Sequence, residues 1–194
     1  MKRIAILFML LLPLSIQAQT QGKLPKGVTP DSTGYIIRVG QTVPDIKWTQ
    51  TDGKTVCIKD LRGKVVMLQF TASWCGVCRK EMPFIERDIW QKHKDNKDFY
   101  LVGIDRDEPK ATVEAFAKQT GVTYPLALDP GADLFAQFAL RESGITRNVL
   151  VDRDGKIVMT TRLYNEKEFQ LLVKKIDSLL KGNQKMILLS LPAM

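Results

Sequence analysis

The chain reads as an α/β domain whose mixed central sheet is flanked by helices, and three features of its 194 residues carry that reading. Apolar runs at Lys64–Phe70 and Phe99–Asp105 enclose a stretch of helical spacing, the pattern of a right-handed βαβ unit with parallel strands. Asp52-Gly53 and Asp154-Gly155 each sit between short β-branched or apolar runs, which is the signature of antiparallel hairpins. The first of these places a β-hairpin near the N-terminus. The remaining length suits one domain, and the sequence carries no internal repeat.

The N-terminus reads as a secretory signal over residues 1–18. Lys2 and Arg3 are its positive region, Ile4–Leu12 its apolar core, and Ile16-Gln17-Ala18 its cleavage site. The apolar run is short against the about 20 residues of a bilayer span, so cleavage is expected rather than retention as an anchor. No cysteine lies near the cleavage region, which argues against a lipoprotein. Export would place the mature chain in the periplasm, an oxidising compartment where disulfides persist. Residues 19–36 are polar, contain Gly and Pro, and show no periodicity, as a linker does. The folded domain is expected over 37–182, followed by an apolar tail at 183–194 that is too short to span a membrane.

Charge excludes little but points away from nucleic acid. The formal charge is +8, and removal of Lys2 and Arg3 with the signal leaves +6. Basic and acidic residues are interleaved, as in Lys92-His93-Lys94-Asp95-Asn96-Lys97-Asp98, the pattern of a solvated face. No stripe combines basic with aromatic residues.

The elements follow in order. Tyr35–Val39 and Ile46–Thr49 are short strand candidates, and Val56 and Ile58 lie on the strand returning from the Asp52-Gly53 turn. Lys64–Phe70 is a strand buried on both faces by its unbroken apolar run. A helix opens after Cys75 and should kink at Pro83, which has no N–H to donate. After the Phe99–Asp105 strand, Lys110–Gln119 has helical spacing at Val113, Phe116 and Ala117 and is closed by Gly121. Tyr124–Leu128 reads as a short strand and Ala132–Leu140 as a short helix. Arg147–Val151 and Lys156–Thr160 flank the second hairpin turn. Asn165 can cap a last helix over Glu166–Leu180, whose apolar face is Phe169, Leu172, Val173 and Ile176, with Gly182-Asn183 as its end.

Trp74-Cys75-Gly76-Val77-Cys78 lies between the buried strand and the helix. At a helix start the two cysteines share a face, close enough to form a disulfide. The positive end of the helix favours a thiolate at the first of them. Such a pair can attack a disulfide and resolve the mixed intermediate. A zinc site or a purely structural disulfide are the competing readings. Zinc usually takes four ligands, and only Cys57 and His93 remain as Cys or His candidates. Along a continuous helix His93 would lie about 22 Å from Cys78 at 1.5 Å per residue, so it reads as a solvated residue at a basic helix end. Cys57, in Thr55-Val56-Cys57-Ile58, reads as a small buried hydrophobe.

Residues 37–181 resemble exported thioredoxin-like proteins of the TlpA/ResA type. The resemblance rests on Gly63-Lys64-Val65-Val66, on Phe70 through Pro83 around the cysteine pair, on Tyr124-Pro125, and on Asn148 through Gly155. It implies a thioredoxin fold with a βα insertion at about Phe99–Val122. It also implies disulfide exchange with extracytoplasmic proteins, as a reductase rather than an oxidant, fed by an upstream electron donor such as a membrane thiol reductase. Carried onto this chain, Cys75 is the exposed nucleophile, Cys78 the resolving thiol, and Trp74 a shield over the pair. Glu81 falls where ResA-like members keep an acid beside the cysteines, and an exposed surface carboxylate is its plain alternative. Gln69 replaces the buried acid of thioredoxin.

The largest departure is at Ile145-Thr146, assigned with Trp74 to substrate binding. The family places a cis-proline at the Thr146 position, facing the disulfide, and a cis bond is the favoured expectation here. A monomer without metal or cofactor is expected. The rival functions are a copper or redox-metal chaperone, which would need a third ligand, and a peroxiredoxin-like peroxidase, for which Thr71 and Arg147 could supply the hydroxyl and the arginine.

Overall fold

The computed structural model describes residues 27–190, with side chains through Gly182; the signal reading, the first part of the linker and the end of the tail lie outside the described residues. Seven strands form one sheet in the order β2-β1-β5-β4-β3-β6-β7. They are β1 (Lys47–Gln50), β2 (Thr55–Cys57), β3 (Val65–Thr71), β4 (Phe99–Arg106), β5 (Leu126–Asp129), β6 (Arg147–Val151) and β7 (Ile157–Arg162). β3, β4 and β5 run parallel to their neighbours in that group. β6 joins β3 and β7, and β1 joins β2 and β5, in antiparallel pairs. The sheet is mixed, as the two kinds of connection predict.

β3 is the axis of the molecule, buried at all seven positions. Its alternation divides the core in two. Val66, Leu68 and Phe70 face a cluster with Phe135, Phe138 and the N-terminal Tyr35 and Ile37. Val65 and Met67 face a second cluster with Met82 and Ile85 of α1 (Gly76–Ile85), Phe116 of α3 (Lys110–Thr120), and Phe169, Leu172 and Ile176 of α4 (Glu166–Ser190). The short α2 (Gln91–His93) follows a π turn at Glu86–Trp90.

Several expectations are corrected. Tyr35–Val39 is no strand; Tyr35 alone bridges Ala139, and its hydroxyl donates to the Thr161 carbonyl at 2.8 Å. At Pro83, where a kink is expected, α1 runs on to Ile85, and the irregularity lies beyond it, in the π turn at Glu86–Trp90. Downstream, the Glu86 N–H is shared between the Met82 and Pro83 carbonyls, and the spacing then widens into the π turn. Residues 132–140 form no continuous helix. The Asp129 carboxylate accepts the Leu134 and Phe135 N–H groups at 2.8 and 2.9 Å, which holds the segment in tight 3-10 turns. α4 does not end at Gly182-Asn183 but continues to Ser190. One interior glycine costs only about 1 kcal/mol against alanine, and the Gln, Lys, Met and Leu residues that follow favour helix.

Two capping expectations hold. Gly121 closes α3 at φ +70°, and Asn165 Oδ1 accepts the Glu168 N–H at 3.1 Å at the start of α4. His93 is corrected: it is not solvated, since Nε2 lies 2.9 Å from Asp177 Oδ1 on α4 and the ring packs edge-on against Phe99. Cys57 is only half-buried, at the end of edge strand β2.

Candidate active site

β3 ends at Thr71, and a short loop leads into α1, whose N-cap is Cys75 in extended conformation. The cap geometry turns the Cys75 sulfur back over the helix start, where it accepts the Cys78 N–H at 3.2 Å. Cys75 and Cys78 form a disulfide with Cα atoms 5.3 Å apart. Cys75 keeps 8% of its surface exposed while Cys78 has none, so an incoming group meets Cys75. A thiolate on Cys75 would hold the same N–H and lie at the positive end of α1, both of which favour the anion.

The loop before the cysteines is clamped by the segment after β4. Glu108 accepts the Ser73 N–H and hydroxyl, each at 2.5 Å. Arg79 Nε donates to the Ser73 carbonyl at 2.6 Å, while its guanidinium lies over the Phe116 ring and reaches Gln119 of α3. The β4–α3 unit thus holds the shape of the active-site loop.

Thr146 lies in the loop before β6, and the Ile145–Thr146 bond is trans: no cis peptide occurs among the described residues, which corrects the cis expectation. Threonine supplies the physical reason, since cis before a non-proline residue costs about 2.5–4 kcal/mol. Its placement is as expected. Thr146 Oγ1 stands 3.2 Å from Cys75 Sγ and 3.3 Å from Cys78 Sγ. Ile145 is buried in the same core cluster as the cysteines, so its side chain is not presented at the surface. Trp74 is 63% exposed, and Val77 is also exposed. Trp74 therefore stands out beside the disulfide more than it shields it.

Glu81 is buried, which overturns the exposed-carboxylate alternative. Its Oε1 accepts Asn148 Nδ2 at 2.8 Å. Burial pushes its pKa up to about 7, partly countered by the Asn148 amide. Gln69 lies beside Asn148 on β3 and accepts the Tyr124 hydroxyl at 2.7 Å. Gly103, next in the same row of the sheet, makes room for this group: a Cβ there would lie 3.2 Å from Gln69 Oε1 and 2.5 Å from Leu126 Cδ2. Gln69 Nε2 and Glu81 Oε2 are left without partners.

Asn148 and the Ser73–Glu108 clamp are the features that motif reading missed. A polar residue inside the buried run Arg147-Asn148-Val149-Leu150-Val151 was the available signal for the first. The peroxidase constellation is not assembled. Thr71 Oγ1 is directed at Met82 Sδ, and Arg147 lies over the Tyr35 ring with Nη2 donating to the Thr33 carbonyl.

A thioredoxin fold with a disulfide at the end of its central strand, the first sulfur capping the following helix, defines a thiol-disulfide oxidoreductase. The chain belongs to the Redoxin family, whose model matches residues 38–180. It is 30% identical over 158 residues to the thiol-disulfide oxidoreductase ResA of Bacillus thuringiensis (strain Al Hakam), covering 81% of this chain and 88% of that one. ResA of Bacillus subtilis (strain 168) is likewise 30% identical over 122 residues, 63% of this chain and 66% of its own. Among solved structures, a Bacteroides thetaiotaomicron protein proposed to be a protein disulfide isomerase is 69% identical, with a TM-score of 0.76 and coverage of 80% and 98%. A proposed thiol:disulfide interchange protein DsbE from Chlorobium tepidum is 27% identical, with a TM-score of 0.63 and coverage of 74% and 99%.

Proposed function

We propose that the chain is a periplasmic disulfide reductase for exported proteins, with Cys75 as nucleophile and Cys78 as resolving thiol. The asymmetry of the pair carries this reading: Cys75 is the helix cap and the sulfur with surface exposed, while Cys78 is enclosed. Reduced Cys75 attacks a substrate disulfide, forming a mixed disulfide and releasing one substrate thiolate. Cys78 then attacks Cys75, releasing the second thiol and closing the Cys75–Cys78 disulfide. Two electrons pass to the substrate, and an upstream thiol donor restores the pair.

Glu81 lies one turn beyond Cys78 on the same face of α1. A carboxyl with a pKa of about 7 changes protonation state at working pH, which suits it to accept the proton of the resolving thiol. Trp74 and the Ile145-Thr146 backbone form the surface that receives the substrate strand, with the protein acting as a monomer. The residue 1–18 pattern supports export by signal cleavage, and among the described residues no helix is long and apolar enough to cross a membrane. Equilibration of the pair with glutathione tests the direction. A potential near thioredoxin's, about −270 mV, supports the reductase; one near DsbA's, about −120 mV, overturns it.

A further inference from the structure

Among the described residues, Thr146 is the one whose side chain is within hydrogen-bond distance of both sulfurs. Its hydroxyl oxygen lies 3.2 Å from Cys75 Sγ and 3.3 Å from Cys78 Sγ, and among the described residues it has no other hydrogen-bond partner. The residue is only 2% exposed, so no open path to water competes for the proton. Its backbone is held from β7 and the turn beyond it: the Leu163 N–H donates to the Thr146 carbonyl at 3.1 Å, and Arg162 Nη1 reaches the same oxygen at 3.4 Å. Leu163 makes that bond from φ +65°, a conformation leucine rarely adopts. A proline at this site could supply none of the hydroxyl chemistry.

We propose that the Thr146 hydroxyl is a catalytic hydrogen-bond donor that serves the two sulfurs in turn. In the reduced protein its O–H points to the Cys75 thiolate, alongside the Cys78 N–H. When Cys75 attacks, its negative charge passes to the departing substrate thiolate, and the donor is freed. It then turns to Cys78 as that sulfur attacks Cys75 and expels the second substrate sulfur, the Cys78 proton ending on one of the two released substrate thiols. No proton leaves the threonine; it rotates between two acceptors about equally distant. The donor favours the thiolate over the disulfide, so it lowers the Cys75 pKa and makes the pair more oxidising than the same site without a hydroxyl.

This inference rests on thiol-disulfide exchange by Cys75 and Cys78 but not on its direction. A difference between variants reads it whether the protein reduces or oxidises its substrate. The test compares wild type with Thr146→Val, which keeps the shape and removes the donor, and with Thr146→Ser, which restores it. The alkylation rate of Cys75 as a function of pH gives its pKa. Equilibration with glutathione gives the redox equilibrium constant.

Thr146→Val should raise the Cys75 pKa so that the thiolate fraction at neutral pH falls several-fold. It should also shift the equilibrium with glutathione about tenfold towards the disulfide, which is 29.6 mV for two electrons. Thr146→Ser should return both values close to wild type. If Thr146→Val fails to fold, the Thr146→Ser and Thr146→Ala pair carries the same comparison. Equal pKa values and potentials in the hydroxyl-bearing and hydroxyl-free variants would overturn the proposal.

Discussion

Asn148 on β6 donates to Glu81 on α1 at 2.8 Å, tying the active-site helix to the sheet through a buried acid. The same amide nitrogen also donates to Thr161 Oγ1 at 2.9 Å on β7. The amide is therefore shared between α1 and β7, and the carboxyl is compensated by that one neutral group, so burial dominates and its pKa rises to about 7.

That rise has a definite sign. The folded state holds the proton more tightly than the unfolded chain, whose carboxyl has a pKa of 4.5. The stabilising contribution is complete below that value and is lost as pH rises towards 7. Glu81→Gln should match wild type in urea unfolding near pH 4 and exceed it by about 1–3 kcal/mol near pH 8. The disulfide-exchange rate of wild type should show an inflection near pH 7, and that of Glu81→Gln should not. An unchanged rate profile would remove Glu81 from the proton traffic.

Asp105, at the end of β4, is a second buried acid with both oxygens unpartnered. Burial first, then the nearby Glu108 and Asp129, push its pKa up to about 8. Its proton stabilises the fold below about pH 4, and the contribution falls away as pH rises towards 8. Asp105→Asn should raise the melting temperature at pH 9 and leave it unchanged at pH 4, with a gain of about 1–3 kcal/mol. Destabilisation at pH 9 would show that the charged carboxylate has a partner in the fold.

The Ser73–Glu108 clamp predicts that loop order depends on the β4–α3 unit. Glu108→Ala should speed hydrogen exchange of the Ser73 amide and lower kcat/KM for a protein disulfide several-fold. Global stability should fall by about 1.5–3 kcal/mol, the usual scale for hydrogen bonds to a charged acceptor. Unaltered Ser73 exchange would mean that the loop holds its shape without Glu108.

Much of this architecture was legible in the sequence because its signals are local. The strand β3, the hairpin turns, the Gly121 end of α3 and the Asn165 cap each follow from a short run of residues. The readings that failed depended on distant partners. Asp129 pulls residues 132–140 into 3-10 turns through its carboxylate, Asp177 of α4 takes up His93, and Asn148 draws Glu81 inward. None of these is visible from spacing along one element. At Thr146 the expectation of cis rests on the strand and active-site turn that constrain this loop, but the bond is trans, so that constraint does not outweigh the about 2.5–4 kcal/mol cost of cis before threonine.

The export reading makes its own prediction. The mature protein should begin near Gln19 and be recovered from the periplasm of a Gram-negative host. Soluble cytoplasmic protein with Met1 intact would contradict it.

The most direct test of the account is the order in which the two cysteines act. The reduced protein is incubated with an oxidised protein substrate as Cys78→Ser and as Cys75→Ser, and covalent complexes are counted on a non-reducing gel. Cys78→Ser should accumulate mixed disulfides through Cys75, the cap of α1, while Cys75→Ser should trap few. Wild type should be alkylated at Cys75 well before Cys78 or Cys57. Trapping through Cys78, or first labelling at Cys57, would contradict the assignment of Cys75 as the attacking thiol.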